Sequence, residues 1–311
     1  MIVTVTLNPA LDLTYQLDGG LSPGRTHRVR TVDERPGGKG INVARVLHQL
    51  GVAVVATGLL GGTQGEAIRT RLAELGLSER FVETGQDARR TVVVVGGGVS
   101  TGLWEPGPRL AGRHLDDLSD QMVQLISHAQ CVVFSGSLPP GLPSDAYRRL
   151  VALAVAAGVA SILDADGDAL TDALPAGPTL VKPNLDELGR AVGHDLFTLE
   201  STVAAATELR VAGAGTVVVS RGALGLLAVT PVGTWLATPP RPIEGNPTGA
   251  GDACVAALAR GLADGNPIDW PELLRDAVAL SGAAVHRPVA GEVELEAYQR
   301  YRPQITLERM G

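Results

Sequence analysis

A carboxylate set directly behind a run of small residues opens the chemical reading of this chain. In NPTGAGDACVAALARGLADG, Gly249, Ala250 and Gly251 precede Asp252, and an apolar helical pattern follows at once. Small residues let successive backbone N–H groups converge on one point, which makes an anion-binding nest. The start of the helix adds about half a positive charge to that point. A carboxylate repels phosphate, so anion binding alone gives no reason for Asp252. Its chemistry suits a base that takes a proton from a hydroxyl attacking the bound anion. Aspartate near a helix start also serves as a cap, and this segment by itself does not separate the two readings.

Three other segments bear on the choice. PGGKGINVARVL, from Pro36 to Leu47, places a glycine-rich turn and Lys39 at the opening of a helix. KPNLDEL puts Lys182, Asn184, Asp186 and Glu187 just beyond a strand. SRGALG, from Ser220 to Gly225, is a tight turn between two apolar strands. In open α/β sheets ligands bind beyond the C-terminal ends of the strands, where these segments are expected. Together they describe a nucleotide site beside an acceptor site. Rival motifs fail their context. Lys39 is followed by Gly40, so there is no Walker-type loop, and GAGDAC lacks the third glycine of a dinucleotide fingerprint. GVSTG, from Gly98 to Gly102, matches a hydrolase nucleophile elbow in letters but falls in a hairpin. The six histidines show no zinc spacing.

The elements that must position these groups follow a simple rhythm. Ile2 to Thr6, VAVVATGLL, CVVFSG, VASILDAD, TLVKPN and TVVVSRG read as strands, separated by helices such as EAIRTRLAEL and YRRLVALAVAAG. Val43, Val46, Leu47 and Leu50 share one helical face, ended by Gly51. Near-continuous apolar strands alternating with helices predict an α/β chain with a parallel sheet covered on both faces. Two stretches break the rhythm: LDLTYQLDGG with THRVRTVDE, and the hairpin RRTVVVVGGGVSTGLWEP. They predict a small sheet of four antiparallel strands, with one side to be covered by substrate or by a second subunit.

Composition narrows the function. The 311 residues are 45% hydrophobic but only 3% aromatic, so Val, Leu, Ala and Ile must fill the interior. The balance of 26 basic and 33 acidic residues, a net charge of −7, argues against a nucleic-acid partner. Cys131 and Cys254 lie in apolar runs and read as reduced core residues. The opening MIVTVTLNP has no basic n-region, and no apolar stretch is long enough to span a bilayer, so a cytoplasmic chain without membrane contact is expected.

These segments together resemble the PfkB/ribokinase family of carbohydrate kinases. GGKGINVA is similar to its N-terminal signature and PTGAGDA to its C-terminal one. TLNPALD, SGSLPPG, KPNLDE and SRGALG resemble the branch that phosphorylates hexose phosphates. The matches run in the family's order from Leu7 to beyond Asp252. The resemblance implies a ribokinase-like three-layer α/β/α sandwich, a single domain over 1–311 with a small β-sheet lid from about 11–35 and 89–107. It implies ATP and Mg2+ as cofactors, Asp252 as catalytic base, and the amides of Gly249, Ala250 and Gly251 as an anion hole. Asp12, Gly38, Lys39 and Asn42 would line the acceptor pocket, with Arg90 at the acceptor's existing phosphate. Asn184, Ser220, Gly222 and Gly225 would hold the nucleotide, and Glu187 would arrange magnesium through water. A homodimer clasped through the lids is implied as well. The expected acceptor is fructose 1-phosphate, tagatose 6-phosphate or fructose 6-phosphate. An unphosphorylated sugar or nucleoside is the alternative, and a non-catalytic sugar or nucleotide sensor is the reading from another class. Two departures touch the acceptor pocket: Thr91 to Val95 lacks the lysine that relatives carry after the lid arginine, and TGLW, ending at Trp104, replaces a TEIN-like turn.

Overall fold

The β-branched runs bury as strands in a computed structural model that describes residues 1–310. The strands are β1 (Ile2–Thr6), β2 (Ala10–Gln16), β3 (Thr31–Gly37), β4 (Val54–Leu60), β5 (Ser78–Glu83), β6 (Arg89–Gly96), β7 (Val99–Trp104), β8 (Cys131–Ser135), β9 (Ala160–Asp164), β10 (Leu180–Val181), β11 (Thr216–Ser220), β12 (Leu226–Thr230), β13 (Gly233–Thr238) and β14 (Thr306–Met310). Ten of them form one sheet in the order β14-β13-β12-β11-β10-β9-β8-β1-β4-β5. From β11 through β5 every neighbouring pair is parallel, and β12, β13 and β14 add on antiparallel. Alternate residues of the strands enter two cores. Ile2 and Cys131 pack with the Lys39–Gln49, Ala250–Leu262 and Trp270–Val285 helices, whereas Val3, Val5 and Val132 pack with Gly112–Ile126 and Ala146–Ala156. Both faces are therefore covered, giving three layers. Cys131 and Cys254 are buried and unpaired, and burial pushes both thiols up to about 12. Among the described residues no helix is long and apolar enough to cross a membrane.

The second sheet has the order β3-β2-β6-β7. Its two hairpins are antiparallel, but β2 and β6 join in parallel, with Asp12 opposite Thr91. The expectation of four antiparallel strands is thus corrected at its centre. The reason lies in the large sheet: β2 leaves β1 and β6 leaves β5, and β1, β4 and β5 all run the same way. The register sorts side chains by face. Asp12, Thr91, Arg35 and Trp104 are cross-strand partners on one face, while Leu11, Pro36 and Arg90 lie on the other.

Candidate active site

The C-terminal ends of β9, β10 and β11 and the starts of the Lys39–Gln49, Leu185–Val192 and Ala250–Leu262 helices surround a cavity of about 840 Å³, a size suited to a nucleotide-scale ligand. Asp252 sits in the first turn of its helix, whose N-cap Gly249 has φ 87° and no side-chain cap. That backbone conformation suits glycine, and a Cβ at Gly249 would lie 2.6 Å from the Ala290 Cα. Asp252 Oδ2 accepts a 2.9 Å hydrogen bond from Asn42 Nδ2, so the carboxylate is held across the cleft and does not cap the helix. Burial is the main force on it and Asp164 adds repulsion. Asn42, Lys39 and Lys182 pull the other way, and the pKa settles at about 7, up from 3.8.

The expected amide triplet is shifted. Ala250 N–H closes a turn onto the Pro247 carbonyl at 3.1 Å, because the fourth residue of a tight turn donates to the first. Among the described residues, the amides without a hydrogen-bond partner here are those of Gly249, Gly251 and Asp252 itself.

Asp164, absent from the expected site, closes β9 and organises the floor. Its Oδ1 lies 3.3 Å from both Lys39 Nζ and Lys182 Nζ, and Ser135 Oγ donates to Oδ2 at 3.2 Å. Burial opposes its charge, but the two ammonium groups hold its carboxyl below the usual range. Asp164 in turn raises the Lys39 pKa, against the opposing effect of burial. Two ammonium groups thus stay charged beside the nest. A carboxylate at the C-terminal end of a buried parallel strand, as in VASILDAD, is the signal that would have pointed to it.

At the end of the cavity bordered by the small sheet, Asp12 lies beside Gly37, where any Cβ would overlap its carboxylate. Burial raises its pKa to about 6, moderated by a hydrogen bond with Thr91 and by the charges of Arg89 and Arg45. Gly38, Lys39 and Asn42 line the same cavity. Arg90 does not: its guanidinium pairs with Glu105 at 2.7 Å, both side chains about half exposed, on the face of the small sheet opposite Asp12. Arg89, one residue earlier and hence on the opposite face, reaches inward. Its Nε donates to the Asn8 carbonyl at 3.2 Å and its Nη1 to the Glu105 carbonyl at 3.3 Å. Arg89 lines both the main cavity and an adjoining one of about 820 Å³ walled by the Ser137–Leu142 loop. The oxygens Asn8 Oδ1 and Asn42 Oδ1 are buried without a protein hydrogen-bond partner.

At the other end, Ser220, Gly222 and Gly225 border a slot completed by Leu226, Ile243 and Val285. Asn184 and Glu187 form a reciprocal capping box, Asn184 Oδ1 accepting from the Glu187 amide and Glu187 Oε2 from the Asn184 amide, each at 2.8 Å. Glu187 Oε1 remains, 3.9 Å from Lys39 Nζ. Among the described residues there is no cluster of three or more His, Cys, Asp or Glu able to hold a metal. Magnesium takes few protein ligands and keeps waters and phosphate oxygens, so one remaining carboxylate oxygen fits it through water.

An amide-bearing helix start, two ammonium groups and a buried carboxylate gathered at one edge of an α/β sheet suit phosphoryl transfer. Residues 5–296 match the model of the pfkB family of carbohydrate kinases, and the chain belongs to that family. It is an ATP-dependent carbohydrate kinase. It is similar to the 1-phosphofructokinase of Xanthomonas campestris pv. campestris, 41% identical over 268 residues and 84% of each chain. The crystal structure of Escherichia coli phosphofructokinase-2 in complex with fructose-6-phosphate superposes with a TM-score of 0.88 at 32% identity, covering 97% of this chain and 98% of that one. Arabidopsis thaliana ribokinase shares the fold with a TM-score of 0.76 at 20% identity, covering 97% of this chain and 98% of that one. The fold is ribokinase-like.

Proposed function

We propose that the enzyme transfers the γ-phosphoryl group of ATP to a hydroxyl of a ketohexose phosphate, with fructose 1-phosphate the first acceptor to test. The observation that carries this is Asp252, held by Asn42 at an amide-bearing helix start and brought to a pKa of about 7. The likeness to a 1-phosphofructokinase supports the acceptor, as does Arg89, a cation facing both cavities. In this reading Asp12 and Asn42 orient the acceptor's hydroxyls, and Arg89, in place of Arg90, takes the phosphate it already carries.

Asp252 accepts the proton of the acceptor hydroxyl as that oxygen attacks the γ-phosphorus in line and ADP leaves. The amides of Gly249, Gly251 and Asp252, with Lys39 and Lys182, stabilise the charge on the migrating group. Ser220, Gly222, Gly225 and Asn184 seat the nucleotide. Magnesium, arranged through water by Glu187, supplies charge neutralisation at the phosphates when bound. The small sheet acts as a lid that excludes water. Its exposed apolar residues, Val32 at 52%, Val99 at 65% and Leu103 at 57%, support a homodimer joined through the lids, which light scattering tests. A cytoplasmic location, where ATP and sugar phosphates meet, completes the reading.

A panel of fructose 1-phosphate, fructose 6-phosphate, tagatose 6-phosphate and free sugars, each with ATP, tests the acceptor. A free sugar or a nucleoside turning over best sinks the phosphorylated-acceptor reading. Arg89→Met is expected to raise the acceptor KM by about 10- to 100-fold, as loss of a charged hydrogen-bonding partner does. Arg90→Met should change it less than about twofold, since an exposed ion pair contributes little. The reverse ranking would return the phosphate to Arg90.

The pH profile follows from the two carboxylates. Asp252 must be unprotonated to act, so kcat/KM rises with pH through about 7 and levels off above. Below about 6 Asp12 protonates too, and the acid limb steepens towards a slope of two. A rate independent of pH between 5.5 and 8 (roughly the span over which both groups titrate) removes Asp252 as the base.

A further inference from the structure

Outside the cleft, three guanidinium groups from three separate segments converge on one carboxylate. Arg35 Nη1, on β3, lies 2.7 Å from Glu292 Oε1, and Arg45 Nη2, on the Lys39–Gln49 helix, lies 3.1 Å from the same oxygen. Arg287 Nη2 reaches Oε2 at 2.7 Å. Burial disfavours the Glu292 charge, but its bond with Arg287 and the charges of Arg35 and Arg45 outweigh that and hold its pKa below the usual value. The link therefore stays ionised across the working pH range.

The position of this cluster matters more than its stability. Arg45 has a side chain only 7% exposed, and its Nη1 donates to the Ala290 carbonyl at 2.9 Å. Ala290 is the residue against which Gly249 packs, its Cα 2.6 Å from where a Gly249 Cβ would stand. One turn before Arg45, on the same helix, Asn42 holds Asp252. Gly291 packs on both: a Cβ there would lie 2.7 Å from Arg45 Nη1 and 3.1 Å from Asn42 Oδ1. The segment 290–292 is thus wedged between the helix that carries Asn42 and the N-cap that begins the nest, and Glu292 fastens it there. Through Arg35 the same carboxylate fastens β3, whose neighbour β2 bears Asp12 opposite Arg35.

We propose that Glu292 is a positioning residue for phosphoryl transfer: it sets the 290–292 segment against Gly249 and ties the acceptor-bearing sheet to it. The proposal rests on the reading of Asp252 and the nest given above. Three consequences separate it from an ion cluster that merely stabilises the fold. The effect appears in kcat more than in the KM for ATP, because the nest acts on the migrating group. Loosening the sheet admits water, so ADP release without acceptor rises relative to transfer. Arg35 and Glu292 act as one unit, so their effects do not add.

The test uses the full chain with ATP and the best acceptor from the panel. Glu292→Gln is expected to lower kcat about a hundredfold, the scale of an ångström-sized misplacement. Arg35→Met, at a partly exposed position, should lower it about tenfold and raise the ratio of acceptor-free ADP release to transfer, with the Tm within about 2 °C. The double variant should be no slower than Glu292→Gln alone, and Glu292→Asp should recover part of the loss. Wild-type kcat in Arg35→Met or in folded Glu292→Gln, or an unchanged release ratio, overturns the proposal. Should Glu292→Gln fail to fold, Arg35→Met decides by itself. Asp252→Asn run alongside keeps the two ideas apart: normal turnover there overturns the role of Asp252, whereas its loss with intact Glu292→Gln turnover overturns only the positioning role.

Discussion

Asp252→Asn leaves ATP affinity within about twofold and lowers acceptor phosphorylation by roughly 10² to 10⁴. The amide is nearly isosteric and its oxygen can still accept from Asn42, so the helix start and its free amides keep their places. What disappears is the site that takes the hydroxyl proton. Titration calorimetry with ATP and a coupled ADP assay read the two quantities separately. Wild-type turnover in this variant takes Asp252 out of the mechanism. A second result comes from linkage. The folded carboxylate has a pKa of about 7 against 3.8 for the free group, so the native state holds the proton more tightly than the unfolded chain. Keeping Asp252 ionised therefore costs stability, fully above pH 7 and progressively less as the pH falls towards 4. Asp252→Asn is expected to raise the Tm by at least about 2 °C at pH 8, a gain that fades at pH 5. Loss of activity together with a gain in stability is the mark of a functional burial, where a destabilised group is kept for its chemistry.

Gly249→Ala is expected to lower kcat about a hundredfold. The new methyl meets the Ala290 Cα at 2.6 Å in a backbone conformation, φ 87°, that alanine rarely adopts. Either Ala290 moves or the N-cap turns, and turning the cap re-aims the amides. One lost donor of an anion hole costs about 3 kcal/mol in the transition state, which is the hundredfold loss. On the proposal that these amides act on the migrating phosphoryl, the KM for ATP should change much less than kcat. Gly251→Ala is the comparison: a Cβ there meets only the end of the Lys182 side chain, at 3.7 Å, so its loss should be about tenfold smaller. Equal losses in the two variants would mean that crowding, not amide alignment, is being measured.

Much of the site was readable along the chain because its chemistry is local. Small residues before Asp252, a lysine at a helix start and a carboxylate, Glu187, three residues after an asparagine just beyond a strand each announce themselves within a few positions. The alternation of apolar runs with amphipathic helices likewise dictated an open sheet whose edge collects those turns. Periodicity predicts a parallel sheet covered on both faces, whereas the ribokinase-like three-layer sandwich with its small lid was implied by the family resemblance.

Other features depended on partners that no local pattern names. Arg89 and Arg90 are identical in type and adjacent, and only the pairing of β6 with β2 decides which one faces Asp12, because side chains alternate across a strand. The parallel junction of the small sheet came from the direction of β1 and β5, not from either hairpin. Ala250 lost its amide to Pro247 through the geometry of one turn. Asp164 gains Lys39 from 125 positions away and Asp252 gains Asn42 from 210 away, and Glu292 draws its arginines from a strand, a helix and a loop. Residue order determined which groups were available for catalysis; folding decided their neighbours, their charge states and the face each one shows, since burial and Coulomb interaction depend on distance in space and not on separation along the chain.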